Sequence, residues 1–246
     1  MRLTFLGTGA GSFRGSRRQM PSAFVEGVLL DCGAGTTGRL HDAALFDRVE
    51  GILITHLHTD HISGLFDFLL HTVIQGRNRP LTIVSPPGLS PILRAVNDAR
   101  AMARDPSELY ELRLIEGTKP EARIGPWSVQ SIPLDHTVYN LGYLLSSDDA
   151  KLFYTGDTRQ PSAPDGLRAD VVIHESTYAD RNAHPAHDYG HSTASQAARA
   201  AREMQARRLF LTHIGDLDGT DAEVLREVRA GFPDSTVAED GGAYDF

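Results

Sequence analysis

The sequence predicts a layered α/β fold, with residues 1–246 forming one domain. Short apolar runs alternate with amphipathic stretches from one end of the chain to the other. A chain of 246 residues with 41% hydrophobic residues can bury a sizeable core. The sequence has no low-complexity tract and no repeat at a fixed period. These features favour one α/β domain over several separate modules.

Short apolar runs bounded by glycine or turn residues are predicted to be strands. They cover residues 3–6, 23–25, 28–30, 52–54, 81–84, 129–132, 142–145, 152–155, 171–174 and 209–212. The stretch 142–155 is typical of a hairpin, because Ser146-Ser147-Asp148-Asp149 supplies turn residues. Polar residues follow several of these runs. The functional site is therefore expected at one rim, where strands give way to loops.

Four stretches carry apolar residues at three- and four-residue spacing, which is the helical period. They are 62–75, 89–103, 192–205 and 221–230. The stretch 178–190 is rich in His, Asp and Ala, and it is predicted to be a loop over the rim.

The charge and the single cysteine limit the classes of partner. A net charge of −8 argues against a broadly basic surface for nucleic acid. Arg14, Arg17 and Arg18 form the densest basic group near the expected site, and they are predicted to be solvated loop charges. Cys32 has no intramolecular disulfide partner and is predicted to be a small buried residue. With no apolar run of roughly 18 residues and no signal-peptide pattern at the start, the chain is expected to be cytoplasmic, with no membrane partner.

Residues 56–61 place three imidazoles and one carboxylate in a loop between an apolar strand and a helix. Burying such groups together without a partner is costly, and a metal ion is the partner that they can share. Imidazole nitrogens and carboxylate oxygens bind Zn²⁺ at roughly 2.0 to 2.2 Å. The segment therefore predicts a site for one metal ion or for a pair, with ligands among His56, His58, Asp60 and His61.

This His-x-His-x-Asp-His pattern resembles the signature of the metallo-β-lactamase superfamily. His136, Asp157 and His213 match the later metal motifs of that superfamily in chain order. The resemblance implies a four-layer αβ/βα sandwich and two Zn²⁺ ions per chain, with Mn²⁺ or Fe²⁺ as alternatives. It also implies how the ligands divide: His56, His58 and His136 on one ion, Asp60, His61 and His213 on the other, with Asp157 bridging both.

Three further stretches resemble ribonuclease Z and its relatives, which process the 3′ ends of tRNA. They are residues 31–36, 173–177 and 191–198. The resemblance implies a proton-donating His191 positioned by Glu175, and Asp60 is expected to orient the attacking water or accept its proton. A hydroxide held by the two ions would be the nucleophile. The expected activity is hydrolysis of a phosphodiester, either at an RNA 3′ end or in a small or cyclic molecule.

The resemblance also bears on the size and assembly of the protein. Ribonuclease Z enzymes carry a long tRNA-binding arm between the third and fourth metal motifs. Only residues 137–156 lie between His136 and Asp157 here, so the domain is predicted to lack that arm. The resemblance further implies a homodimer.

Two alternatives remain open. The first is hydrolysis of a carboxylic ester, thioester or lactam on the same fold, which would leave Glu175 and His191 without a role. The second is a non-catalytic metal-binding relative that keeps the fold.

Other polar residues are given structural interpretations. His41 and His71 fall on presumed helices, and His184 and His187 are expected to be ordinary loop residues. The glycine-rich segment 6–11 lacks the helix and the downstream acid of a dinucleotide site. It is predicted to be a tight turn beneath the metals.

Overall fold

Two seven-stranded β-sheets form the centre of the molecule in a computed structural model, which describes residues 1–11, 19–99, 104–159, 163–215 and 221–246. In chain order the strands of these ranges are β1 Arg2–Gly7, β2 Ser22–Val25, β3 Val28–Leu30, β4 Gly51–Leu53, β5 Leu81–Ser85, β6 Leu112–Glu116, β7 Glu121–Ile124, β8 Trp127–Leu134, β9 Asn140–Ser146, β10 Lys151–Tyr154, β11 Val171–Ser176, β12 Arg208–Ile214, β13 Ser235–Val237 and β14 Ala243–Asp245. The first sheet has the order β14-β1-β2-β3-β4-β5-β6, and the second has the order β13-β12-β11-β10-β9-β8-β7.

Helices cover the outer face of each sheet. The helices of the described ranges are α1 Thr36–Asp42, α2 Thr59–Ile74, α3 Leu89–Asp98, α4 Ala183–Asp188, α5 Ala194–Glu203 and α6 Asp221–Gly231. Residues of α1, α2 and α3 pack with the first sheet in one apolar cluster, and residues of α5 and α6 pack with the second sheet in another. A third cluster fills the space between the sheets. The four-layer αβ/βα sandwich implied by the sequence is therefore confirmed.

The layer between the sheets contains the largest buried side chains. Phe5 from β1 packs against Phe210 from β12 with ring centroids 5.6 Å apart, and Trp127 and Tyr143 are fully buried in the same layer. Burying one large aliphatic or aromatic side chain contributes about 1.5–3 kcal/mol. This layer therefore fixes how the two sheets lie against each other.

The two sheets meet at one rim. Strands β3 to β6 of the first sheet are parallel, as are β10 to β13 of the second, so their carboxyl ends collect on common edges. The Leu141 amide donates to the Thr55 carbonyl at 2.8 Å, and Gly9 forms an isolated bridge with Ile214. The first contact joins the loop after β4 to the start of β9, and the second joins the loop after β1 to the end of β12. Side chains from both sheets can therefore converge at this rim.

The predicted strand and helix regions are confirmed, with shifts at some ends. The helix predicted at 192–205 begins at Ala194, because Thr193 and Gln196 form a capping box. The helix predicted at 89–103 ends at Asp98, and residues 100–103 lie outside the described ranges. The hairpin predicted at 142–155 is formed by β9 and β10.

The loop predicted at 178–190 is wrong in part, because it contains α4. The helix is six residues long, which is too short to show an apolar period, and Ala186 is its one buried residue. Its polar composition reflects exposed positions on a short helix. The segment nevertheless returns to the rim at Gly190, whose carbonyl contacts His136.

Cys32 is fully buried, and burial raises the pKa of its thiol above the usual range. The prediction of a small buried residue is confirmed. Among the described residues, no helix combines the length and apolar character that crossing a bilayer requires. The cytoplasmic location stays a prediction.

Candidate metal centre

The structure brings all seven predicted metal ligands to the rim between the sheets. His56 follows β4, and the next three ligands lie at the start of α2. His136 and Asp157 follow β8 and β10, and His213 lies near the end of β12. The full set is His56, His58, Asp60, His61, His136, Asp157 and His213.

Three imidazoles form the first ligand cluster. The His58 Nδ1 atom lies 3.0 Å from His56 Nε2 and 3.3 Å from His136 Nε2. A single proton can form a hydrogen bond between only two of these nitrogens. The close approach of the third nitrogen therefore needs another explanation. Three nitrogens bound tetrahedrally to one Zn²⁺ lie about 3.4 Å apart, given the usual Zn–N bond length. The cluster therefore has the spacing that a single ion requires.

Two carboxylates and two imidazoles form the second cluster. Asp60 Oδ2 lies 3.7 Å from His61 Nε2 and 3.4 Å from His213 Nε2. Asp157 Oδ2 lies 3.4 Å from the same atom of His61 and 3.3 Å from that of His213. Four donor atoms at these separations offer a mixed oxygen and nitrogen site for a second divalent ion.

Asp157 lies between the two clusters. Its Oδ2 atom is also 3.7 Å from His56 Nε2, which belongs to the first cluster. Its Oδ1 atom and the Nε2 atom of His61 are both buried, and neither has a hydrogen-bond partner among the described residues. Unpartnered polar atoms at such depth are costly unless an ion pairs with them. The residues present therefore fit a metal centre with Asp157 shared between its two halves.

A bulge aims His213 at this centre. The register between β11 and β12 shifts at this point, so that Ser176 pairs with Ile214 and His213 is skipped. His213 takes a φ of 52°, in the left-handed region that non-glycine residues seldom adopt. Bulges near active sites commonly redirect a side chain in this way.

Outer hydrogen bonds fix which nitrogen of each histidine faces the centre. Four of the five histidine ligands have an oxygen partner at Nδ1, which leaves Nε2 for the metal. The Nδ1 partners are Thr55 Oγ1 for His56 at 3.0 Å, Asp31 Oδ2 for His61 at 2.7 Å, the Gly190 carbonyl for His136 at 2.7 Å, and Thr177 Oγ1 for His213 at 2.8 Å.

The charges of the ligands suit a cation. Burial lowers the pKa of His56, His58 and His136, which keeps their lone pairs available. Burial raises the pKa of Asp60, but the adjacent histidines His213 and His61 outweigh it and hold the pKa below its usual range. The same two histidines hold down the pKa of Asp157. Burial lowers the pKa of His61, but the carboxylates of Asp157 and Asp31 outweigh it and raise that pKa well above its usual range. Three imidazoles with a lowered pKa beside two ionised carboxylates make a donor set for a divalent ion.

Glu175 and His191 form a buried pair beside the second cluster. The Nδ1 atom of His191 donates to Glu175 Oε1 at 3.0 Å. The same oxygen accepts from the Thr158 amide at 2.9 Å, and the other carboxylate oxygen accepts from the Thr177 amide at 3.0 Å. These bonds fix a carboxylate that has no exposed surface. His191 is thereby oriented through Nδ1.

The pair also sets the charge of His191. Burial lowers the pKa of this imidazole, but the Glu175 carboxylate outweighs burial, with help from Asp157, and raises the pKa to about 9. Burial raises the pKa of Glu175, and the charge of His191 outweighs that effect and lowers it. A protonated histidine beside an ionised carboxylate is the arrangement that a general acid needs.

Comparison with known protein families identifies the superfamily of this chain. A model of the β-lactamase superfamily domain matches residues 27–214 of this chain. The chain belongs to the β-lactamase superfamily. The superfamily match spans β3 to β12 and so includes all seven ligands.

Its relatives include several ribonucleases. A ribonuclease Z of Salinibacter ruber is 32% identical over 89% of this chain and 85% of the relative. One from Archaeoglobus fulgidus is 28% identical over 97% of this chain and 95% of the relative. The crystal structure of the short form of human tRNase Z has a TM-score of 0.80 and 27% identity, covering 100% of this chain and 99% of the human one. This superfamily member is a metal-dependent hydrolase.

The metal centre of this superfamily member opens into a cleft of about 280 Å³. Metal ligands from both clusters line it, and His191 lies in the same lining. The glycine-rich turn after β1 forms another part of the lining through Ala10 and Gly11. A Cβ atom at Gly11 would lie 3.4 Å from Asp60 Oδ2, so this segment lies close to the second cluster. Its role as a tight turn beneath the metals stays a prediction.

The remaining histidines lie away from the cleft. His41 stacks on Phe46 with ring centroids 4.4 Å apart, consistent with a structural role on α1. The side chains of His184 and His187 are 90% and 65% exposed on α4. The basic group Arg14, Arg17 and Arg18 lies outside the described residues.

Sequence reasoning gave no role to two residues that contact the ligands. Asp31 holds His61, and Thr177 holds His213 and Glu175. Both stand inside stretches that carried the family resemblance, Asp31 directly after the strand predicted at 28–30 and Thr177 three residues after the strand predicted at 171–174. The signal that could have found them is the one used for the ligands, a polar residue where an apolar strand ends.

Proposed function

We propose that this protein is a dinuclear-zinc phosphodiesterase related to ribonuclease Z. The observation that carries the proposal is the Glu175–His191 hydrogen bond of 3.0 Å beside a cleft lined by metal ligands. A phosphodiester needs its charge offset, a water for attack and a proton for the departing alkoxide. The ligand clusters would serve the first two needs, and His191 would serve the third.

Two zinc ions would be held by the two clusters, with Asp157 contacting both. When bound, such ions activate a water molecule and offset negative charge at the attacked phosphorus. Asp60 orients that water or accepts its proton, since its side chain is 20% exposed and lines the cleft. His191 gives a proton from Nε2 to the leaving oxygen as the phosphorus–oxygen bond breaks. Glu175 keeps His191 oriented through Nδ1.

The substrate class follows from what surrounds the cleft. The segment between His136 and Asp157 consists of the β9–β10 hairpin and its short connections, without a further element. The alignment with the Archaeoglobus fulgidus ribonuclease Z spans 297 positions, so that relative has residues without a counterpart in these 246. A net charge of −8 offers little attraction for a large RNA. We therefore propose that small or unstructured phosphodiesters are hydrolysed better than precursor tRNA.

Hydrolysis of a carboxylic ester, thioester or lactam is the alternative on this fold. Such substrates would use the metal clusters but would give no role to the buried Glu175–His191 pair. The phosphodiester reaction uses both features, which is why it is preferred.

The test is hydrolysis of an aryl phosphodiester by the zinc-loaded protein and by Glu175→Gln and His191→Asn variants. Each variant should retain its zinc and lose roughly 10²- to 10⁴-fold in kcat, the range for a lost general acid. Combining both changes should be little worse than either alone, because the two residues act as a unit. His187→Asn is the matched control, since that side chain is 65% exposed and lies away from the cleft.

Full activity of His191→Asn on a diester with a poor leaving group would show that His191 is not the proton donor. Faster turnover of a thioester or lactam than of any phosphodiester would reject the proposed reaction in favour of the alternative.

A further inference from the structure

The Thr177 hydroxyl lies between the metal ligand His213 and the Glu175–His191 pair. Its Oγ1 atom is 2.6 Å from Glu175 Oε2, 2.8 Å from His213 Nδ1 and 3.2 Å from His191 Nδ1. One oxygen atom thus contacts a metal ligand, the proton donor and the carboxylate that positions this donor.

The protons of this cluster can be assigned from its chemistry. Both oxygens of Glu175 face donors, the Thr158 amide and His191 Nδ1 at Oε1 and the Thr177 amide at Oε2, so this carboxylate acts as an acceptor. The single hydroxyl proton of Thr177 therefore goes to Glu175 Oε2. The hydroxyl can then only accept from His213, so His213 must carry its proton on Nδ1. This leaves the Nε2 lone pair of His213 facing Asp60 and Asp157.

The backbone holds Thr177 firmly in this place. Its amide donates to Glu175 Oε2 at 3.0 Å, and its carbonyl accepts from the Gly215 amide at 3.2 Å. A Cβ atom at position 215 would lie 2.2 Å from that carbonyl oxygen, so the close approach needs glycine there. Tyr178, the next residue, forms a bridge with Thr193. The hydroxyl is therefore presented from a fixed backbone between β11 and β12.

We propose that Thr177 is a positioning residue that couples the metal centre to the proton donor. Its hydroxyl selects the tautomer in which His213 binds metal through Nε2, and the same hydroxyl orients Glu175 and hence His191. Loss of the hydroxyl should weaken metal binding and slow departure of the leaving group together. The second effect rests on the proposed phosphodiesterase function, whereas the first requires only that the clusters bind metal.

Three substitutions separate this role from a packing role. Thr177→Val keeps the shape of the side chain and removes the hydroxyl, and Thr177→Ser keeps the hydroxyl. Thr37→Val is a matched control, because the Thr37 hydroxyl belongs to α1 and is buried with no hydrogen-bond partner in the part of the chain that the structure describes. All three proteins are compared with the wild type by chelator competition for zinc and by kinetics on two diesters that differ in leaving-group acidity.

Thr177→Val should bind the more weakly held zinc roughly 10- to 100-fold less tightly, as expected when the partner of a ligating histidine is lost. Its kcat should fall about ten-fold further on the diester with the poorer leaving group than on the better one, because a general acid matters most there. Thr177→Ser and Thr37→Val should resemble the wild type in both measurements.

Equal losses in Thr177→Ser and Thr177→Val would overturn the proposal, because they would point to packing and not to the hydroxyl. Wild-type zinc affinity in Thr177→Val would also overturn it. Weakened zinc binding in a protein whose wild type hydrolyses no phosphodiester would support the tautomer role and reject the proposed function.

A measurement on the wild type covers the case in which Thr177→Val does not fold. Nitrogen NMR of histidine-labelled, zinc-loaded protein should show His213 protonated at Nδ1 and metal-bound at Nε2. The opposite tautomer would contradict the coupling.

Discussion

Asp31 shows how one buried carboxylate can organise a metal ligand. Its Oδ2 atom accepts from His61 Nδ1 at 2.7 Å, from the Tyr154 hydroxyl at 2.7 Å and from the Thr55 hydroxyl at 2.9 Å. Its Oδ1 atom accepts from the Thr55 amide at 2.8 Å. The residue thereby ties the ends of β3, β4 and β10 to the start of α2. Its φ of 55° lies in the left-handed region, which Asp and Asn tolerate better than most residues.

We therefore expect Asp31→Asn to weaken zinc binding by roughly 10- to 100-fold. Asparagine tolerates the left-handed backbone at this position. Its side-chain amide, however, replaces one acceptor oxygen by an NH₂ donor, and the groups that surround this side chain are themselves donors. The unmatched group should also lower the free energy of unfolding by about 1–3 kcal/mol. Chelator competition and urea denaturation measure the two effects. Asp148→Asn, in the exposed β9–β10 turn, is the control, and wild-type zinc affinity in Asp31→Asn would contradict the assignment.

At the scale of elements, the sequence revealed the central strands and missed the edges. The four strands that were not predicted are β6, β7, β13 and β14, and these are the two edges of each sheet among the described residues. Central strands are buried on both faces and read as apolar runs, as β4 does before His56. An edge strand such as β14 alternates exposed and half-buried residues, so it leaves no such run.

The seven ligand candidates could be picked out from the sequence because each stands after an apolar strand or within a dense motif, and the structure brings them together. The same signal could have marked Asp31 and Thr177 as candidates, but it could not have given their roles, because these depend on contacts between distant segments. Asp31 meets Tyr154 across the two sheets, and Thr177 meets His213 only because β11 pairs with β12. Nothing in the local sequence of either residue specifies its partner. The local sequence of α4 is equally uninformative, because the burial of Ala186 depends on how this short helix packs against the rest of the molecule.

The loop between α4 and α5 offers a test of how backbone geometry supports the site. Gly190 has a φ of 82°, and a Cβ atom there would lie 2.7 Å from His136 Nδ1. Gly190→Ala should therefore displace the ligand His136 and the adjacent His191, and lower kcat/KM by roughly ten-fold or more, since small misplacements of catalytic groups have large effects.

Gly166→Ala is a closely matched control for this substitution. Gly166 has a φ of 74°, but a Cβ atom there would meet no atom of another described residue within 4 Å. Both variants carry backbone strain of about 1 kcal/mol or more, and both should lose similar stability on that account. Activity that falls equally in the two variants would show that strain, not contact with His136, is responsible.

At the scale of the whole molecule, the predicted lack of a tRNA-binding arm leads to a prediction of substrate choice. Binding energy remote from the reacting bond normally orients a large substrate, and here the β9–β10 hairpin supplies no such surface. We expect a higher kcat/KM for a cyclic nucleotide or an aryl diester than for a precursor tRNA with a 3′ trailer, at one stated salt concentration. Accurate cleavage of the precursor with the highest kcat/KM of the three would reject this preference.

Assembly is a separate prediction at this scale. The resemblance to ribonuclease Z leads us to expect a homodimer, and light scattering at micromolar concentration measures it. A molecular mass equal to the 26.8 kDa of one chain would rule out a stable dimer at that concentration.

The central claim is that one rim holds two metal ions that share Asp157, and metal analysis of the purified protein tests it most directly. Protein loaded without chelators should contain about two zinc ions per chain, and Asp157→Ala should lower the occupancy of both positions because this carboxylate contacts both clusters. A wild-type protein that never exceeds one ion per chain, or an Asp157→Ala protein that keeps two, would contradict the account.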